Sequence, residues 1–141
     1  MQQRITGRCF CGAVRFQIDT PPVTTRACWC RDCQYLAAGN ASINLIFASS
    51  GLTVSGATTA YVSRADSGNM MRRRFCPTCG TPLFSEATCQ PDFIAVRAGA
   101  LDDPELGHPA SVIWTASAPR WAWIDPSLPI YAGQVEGVPD T

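Results

Sequence analysis

The sequence contains no lysine: all eleven of its basic residues are arginine, and His108 is its only histidine. These shortages exclude a lysine Schiff base, a Walker-type phosphate loop, an HExxH zinc protease and any two-histidine mechanism. Neither sign of charge is in excess, with 11 basic residues against 11 acidic ones. Nucleic acids and anionic membrane surfaces are held through a basic surplus, so neither is expected as a partner. The one local concentration of charge is Arg72-Arg73-Arg74. No apolar run is long enough for a membrane span or a secretory leader, and a cytoplasmic location is expected.

What the chain does have is cysteine, eight in 141 residues. A domain of this length buries roughly two-thirds of the surface its unfolded chain exposes, so it does not need covalent staples to fold. In a reducing compartment disulfides do not persist, and clustered cysteines there serve as metal ligands or catalytic thiols.

Short segments of strand character recur between turn signals such as Pro21-Pro22, Gly39-Asn40 and Ser49-Ser50-Gly51. Over 13–18, Val14, Phe16 and Ile18 fall on one strand face, and further strands are expected over 43–48, 52–55, 58–63, 70–75, 82–85, 93–99 and 111–114. Only 31–38 reads as a helix, stopped by Gly39-Asn40. The last third, rich in tryptophan and proline, is expected to wrap irregularly over the sheets with its tryptophans filling core gaps. The chain therefore reads as one mainly β domain over 1–133, followed by a loose tail over 134–141.

Seven cysteines form three groups: Cys9-Phe10-Cys11, Cys28-Trp29-Cys30-Arg31-Asp32-Cys33 and Cys76-Pro77-Thr78-Cys79-Gly80. In extended chain, residues two apart point to one side, so each CxC offers two sulfurs to one ion. In the CxxC of Cys76 and Cys79, Pro77 presets a turn and Gly80 takes a positive φ, which aims backbone amides at the sulfurs. A thiolate-rich ligand set of this kind selects zinc. Four sulfurs close one tetrahedral site and leave three, and three protein ligands with a free position are how a reactive zinc is held. Cys9, Cys11, Cys76 and Cys79 can close the first site, leaving Cys28, Cys30 and Cys33. A ribbon-like partition instead joins Cys30, Cys33, Cys76 and Cys79, and a third possibility is a single structural zinc with the other thiols inert. The first keeps the CxCxxC whole and is favoured. Cys89 stands apart as a spectator.

The segments Gly7-Arg8-Cys9-Phe10-Cys11-Gly12-Ala13-Val14, the CxCxxC and Phe75-Cys76-Pro77-Thr78-Cys79-Gly80-Thr81-Pro82-Leu83 resemble the glutathione-dependent formaldehyde-activating enzyme family, which includes the centromere protein V relatives. Trp114, Trp121 and the stretch from Asp125 to Tyr131 resemble its closing segment, so the likeness runs from Gly7 to about Tyr131. The resemblance implies a β-tent, zinc-ribbon-like fold of short antiparallel strands with two zincs per chain. It implies a structural ion on Cys9, Cys11, Cys76 and Cys79 and a catalytic one on Cys28, Cys30 and Cys33. The implied reaction is that of a carbon-sulfur lyase, joining glutathione to formaldehyde as S-hydroxymethylglutathione. One departure is Trp29, where members of the family commonly carry histidine.

Two zincs and seven thiolates would move the formal charge from 0 to about −3, with the three-thiolate site near −1. A thiol ligand that itself carries carboxylates then needs cations nearby, and Arg31 together with Arg72, Arg73 or Arg74 are the candidates. His108, in Gly107-His108-Pro109, reads as an exposed loop residue, and Asp32 as a cap of the short helix. The competing function is a zinc-stabilised, non-catalytic module that docks a protein partner. A thiol redox role for Cys30 and Cys33 is disfavoured, since neighbouring cysteines favour metal capture.

Overall fold

A computed structural model describes residues 3–135. Its described part is mainly β, in two sheets. The smaller sheet has β1 (Ile5–Arg8), β2 (Arg15–Ile18) and β5 (Leu52–Ser55) in the order β1-β2-β5, all antiparallel. The larger contains β3 (Thr24–Cys28), β4 (Ser42–Ala48), β6 (Thr59–Arg64), β7 (Met70–Phe75), β8 (Pro82–Ala87), β9 (Phe93–Arg97) and β10 (Ser111–Ile113). Their order is β10-β3-β4-β9-β8-β7-β6. The expectation of antiparallel strands throughout needs a correction, because β10 runs parallel to β3. That pairing is possible because about 80 residues of chain separate the two strands, enough for the crossover that a parallel pair requires.

The alternation in 13–18 produces the main core. Val14, Phe16 and Ile18 are buried and meet Leu45, Phe47, Phe84 and Val96 on one face of the large sheet, with Phe16 and Phe84 edge to face at 5.2 Å. Full burial of each such side chain contributes roughly 1.5–3 kcal/mol. The turn after β9 packs tightly on Gly7, where an added Cβ would collide with the Phe16 ring and the Ala100 carbonyl.

The opposite face of the large sheet is polar although buried. Arg26, Asn44 and Arg97 stand in one cross-strand row on β3, β4 and β9, with Cys28 and Ser42 paired next to them. Arg73 on β7 pairs with Ser85 on β8 and is buried on the same side. Strand β3 escapes a pattern search because Arg26 interrupts its apolar residues, yet four of its five positions are buried.

The helix α1 (Arg31–Leu36) is shorter than the expected 31–38. Ala38 and Gly39 both have left-handed backbone, and the Gly39 amide donates to the Gln34 carbonyl at 2.7 Å, which ends the helix. The last third is irregular, as its composition indicates. Two of its three tryptophans do not fill the core, however: Trp121 and Trp123 are 68% and 77% exposed, while Trp114 is half-buried against Cys28, Cys30, Cys33 and Ile113. The segment is held by Ala118, Ala122, Ile124 and Leu128 packing around Trp29, and by Val112 amide and carbonyl bonds to Pro129 and Tyr131. Within the segment assigned to a tail, Gln134 accepts a 3.0 Å bond from the Trp114 indole and Val135 packs near Cys28, Cys30 and Cys33; positions 136–141 lie outside the described residues.

Candidate metal centres

Two similar turns present the first group of sulfurs. After β1, the Cys9 amide bonds the Val14 carbonyl and Gly12, at φ 80°, donates to the Cys9 carbonyl. After β7, the Cys76 amide bonds the Thr81 carbonyl and Gly80, at φ 78°, donates to the Cys76 carbonyl. Each turn also points an amide at a sulfur, Val14 to Cys9 at 3.2 Å and Thr78 to Cys76 at 3.4 Å. Phe10 N–H donates to the Thr81 hydroxyl at 3.0 Å and ties the turns together.

The Sγ atoms of Cys9, Cys11, Cys76 and Cys79 consequently lie within 4.8 Å of one another, with Cys9 to Cys11 at 3.6 Å and Cys11 to Cys76 at 3.8 Å. A tetrahedral zinc with sulfurs at about 2.3 Å requires sulfur separations near 3.8 Å, so this donor set fits the ion in both chemistry and spacing. The Thr81 hydroxyl, 3.1 Å from Cys79 Sγ, and the Thr81 amide hold that thiol down at about 5. Cys11 is pushed up to about 11: the Ala13 amide pulls it down, but hydrogen sharing with Cys9 and lost solvation outweigh that pull.

The second group is built from one stretch of chain. Cys28 ends β3, Cys30 is the N-cap of α1 with its sulfur accepting from the Cys33 amide at 3.3 Å, and Cys33 lies in the first helical turn. All three are buried and their sulfurs lie within 4.8 Å of one another. The structure thus places Cys30 and Cys33 with Cys28, not with Cys76 and Cys79. It also corrects the reading of Asp32: Cys30 caps the helix, and the Asp32 carboxylate faces Arg73 at 3.5 Å. Burial raises the Asp32 carboxyl, and Arg73 opposes that rise.

Hydrogen bonds from Cys28 and Cys30 hold the Cys33 thiol well below its ordinary value, and the guanidinium groups of Arg97 and Arg73 add to the effect. Sharing hydrogens with Cys30 and Cys33 pushes Cys28 up. The trio therefore favours one anion stabilised by two neighbours, and two buried cations face it.

The four candidate arginines separate cleanly. Arg73 is buried, donates to the Ser63 hydroxyl at 2.9 Å and faces the trio. Arg72 and Arg74 project from the other side of β7 and share Glu86 at 3.7 and 3.8 Å. Arg31 bonds Gln34 and lies 5.1 Å from the Tyr35 ring, on the outside of α1. Arg97, absent from the sequence candidates, is 6% exposed and donates to Asn44 Oδ1 and, at 3.2 Å, to the Ser42 hydroxyl. Its signal was a lone charge closing the apolar run of β9. His108 and Cys89 are exposed and belong to neither group.

A cavity of about 210 Å³ opens between α1 and the β6–β7 pair, lined by Asp32, Tyr35, Leu36, Tyr61, Ser63 and Arg73. No helix among the described residues is long and apolar enough to cross a membrane.

Comparison with known proteins bears on what these centres do. The family model described as "Glutathione-dependent formaldehyde-activating enzyme" matches residues 4–117. The Halomonas elongata protein named "Putative glutathione-dependent formaldehyde-activating enzyme" is 29% identical over 127 residues, covering 86% of this chain and 81% of that protein. A crystal structure of a Rhodobacter sphaeroides protein aligns with a TM-score of 0.57 at 24% identity, over 74% of this chain and 96% of the other, and shares the fold.

Proposed function

The chain belongs to the glutathione-dependent formaldehyde-activating enzyme family, and from that premise we propose that it is a zinc-dependent enzyme of carbon-sulfur lyase type. It acts on adducts between a thiol, glutathione in the first place, and formaldehyde or another small electrophile. The single observation that carries this reading is the trio itself: three buried sulfurs, not four, facing two buried guanidinium groups. A purely structural site closes with four ligands, as the other group does.

In this reading Cys9, Cys11, Cys76 and Cys79 hold a structural zinc, within the zinc-ribbon-like, β-tent arrangement that the paired turns support. Cys28, Cys30 and Cys33 hold the second. Zinc bound there supplies a Lewis acid that keeps an incoming thiol ionised near neutral pH. The chain does the rest. Arg73 lines the 210 Å³ cavity and acts electrostatically on Cys33, so a ligand carboxylate in the cavity would pair with it. Arg97 offsets the charge of the sulfurs from within the sheet. Tyr35 and Tyr61 form aromatic walls beside the cavity. In the reaction a sulfur-carbon bond forms, the carbonyl π bond opens, and the thiol proton ends on the new hydroxyl. Eight free cysteines are consistent with a reducing cytoplasm.

Elemental analysis of protein purified without chelator tests the reading. Two zincs per chain are expected, falling to about one in Cys28→Ser with glutathione binding lost. One zinc per chain that does not rise on resupply would overturn it in favour of the non-catalytic module.

A further inference from the structure

We infer that Trp114 and the segment 131–135 form a door over the three-cysteine site, latched by the hydrogen bond between the Trp114 indole and Gln134, and that a thiol reaches the sulfurs only when this door opens. The inference rests on the thiol-activating reading of the trio and adds the route of entry to it. Cys28, Cys30 and Cys33 are 1%, 8% and 0% exposed, and the lining of the 210 Å³ cavity includes none of them. A ligand therefore reaches the sulfurs only if something packed on them moves.

What can move is limited by what carries the sulfurs. Cys28 ends β3, and Cys30 and Cys33 belong to the start of α1, so displacing either element takes the site apart. Ile113 is fully buried and fixed in β10 by its pairing with Cys28. Among the described residues, the partly buried side chains packed against the trio are those of Trp114 and Val135.

Trp114 arrives there through its backbone. Successive residues of a strand face opposite sides. Val112 packs with Trp29 and Ile113 packs with the trio, so a continued strand would turn residue 114 back to the Val112 side. Instead Trp114 is left-handed, at φ 59° and ψ 36°, and its side chain joins that of Ile113 against the sulfurs. A bulky residue keeps that conformation only where its surroundings impose it, and such strain gathers at ligand clamps and switching segments. The strain favours release of Trp114, and the segment 131–135 opposes it.

That hold weakens along the chain. The Val112 amide and carbonyl bond Pro129 and Tyr131 at 3.0 and 2.9 Å. The amides of Thr115, Ala116 and Trp114 then donate to the carbonyls of Tyr131, Ala132 and Gly133 at 3.1, 3.2 and 3.4 Å. The indole bond to Gln134, at 3.0 Å, follows, and Val135 lies on the trio. Tyr131 and Ala132 are exposed, and an added Cβ on Gly133 would meet no atom within 4 Å. The firm pairing at Val112 serves as the hinge, and the indole bond closes the free end. Segments that open and close in this way gate the entry of substrates to enclosed sites.

The test is residue-resolved amide hydrogen exchange on the zinc-loaded full chain, with stopped-flow association of glutathione alongside. The amides of Trp114, Thr115 and Ala116 should exchange together, roughly tenfold faster than that of Val112. Trp114→Phe and Gln134→Leu each remove one partner of the latch. Each should speed both that exchange and glutathione association about fivefold, leave exchange at Val112 and the zinc of the four-cysteine group unchanged, and together do no more than either alone. Exchange at 114–116 as slow as at Val112, faster exchange throughout the molecule in the latch variants, or glutathione association unchanged in them would overturn the inference. Exchange is read without thiol or turnover, so opening at 114–116 with no glutathione bound by any variant would sink the reading of the trio and leave the latch standing.

Discussion

The two cysteine groups differ in how far the chain must travel to make them and in what surrounds them. The four-cysteine group joins turns separated by 65 residues, with Cys11 exposed and Cys79 half-buried, and its sulfurs are stabilised by local amides and one hydroxyl. The trio comes from one strand end and one helical turn, is buried throughout, and is balanced by arginines from β7 and β9. One group is completed by its own sulfurs, and the other is completed electrostatically by the sheet. A closed ligand set needs little from its surroundings. A set of three, on the function proposed for it, draws its balance of charge from elsewhere in the fold.

Substitutions can break that contrast. The largest effect is expected at Cys76, which is buried in the main core while anchoring the first group. Cys76→Ser should leave little folded protein, because a structural metal site in a small domain contributes on the order of 10 kcal/mol. Cys28→Ser should stay folded with one zinc fewer, measured by circular dichroism and elemental analysis together. Next comes Arg97→Met, which removes the buried charged donor from Asn44 and Ser42 and should cost about 2–3 kcal/mol in denaturant unfolding. Its zinc loss should be confined to the trio; equal loss from both groups would mean that the charge balance is shared.

Arg73→Ala should weaken glutathione binding about tenfold, or about 1.4 kcal/mol, by titration. Arg72→Ala and Arg74→Ala, on the opposite face, should change it by less than about 1 kcal/mol. The smallest effect sharpens the other side of the comparison. The Cys79 thiol, lowered from 9.0 to about 5, favours the thiolate, so the stabilisation it gives is complete above pH 9 and lost as pH falls through about 5, and zinc retention by the four-cysteine group should fall over that range. Thr81→Val should move the pH midpoint of zinc release from that group upward, as followed by a zinc-sensitive dye, and leave the trio's zinc unchanged.

The cysteine groups could be read from sequence because their spacing is local: a CxC or CxxC carries its own geometry. Most strands were legible for the same reason, since alternation is a property of neighbouring residues. What resisted was whatever depends on register. Nothing local distinguishes Arg73 from Arg72 and Arg74, because alternation gives two faces and only the packing of β7 against β8 says which one meets the trio. Arg26 and Arg97 become neighbours of the site through Asn44, a strand away from each. The exposure of Trp121 was similarly hidden, for Trp29, more than 90 residues earlier, occupies the core position and meets the Trp121 ring at 6.2 Å.

The contrast in chain separation also orders events during synthesis. Cys28, Cys30 and Cys33 leave the ribosome within six residues of one another, whereas Cys9 and Cys11 must wait for Cys76 and Cys79. Closing a loop of 65 residues costs about 2 kcal/mol more in chain entropy than closing one of five. A nascent chain thus presents the three sulfurs of one group together before the arginines of β7 and β9 that balance them have been made, whereas the four-sulfur group cannot assemble until β7 is complete.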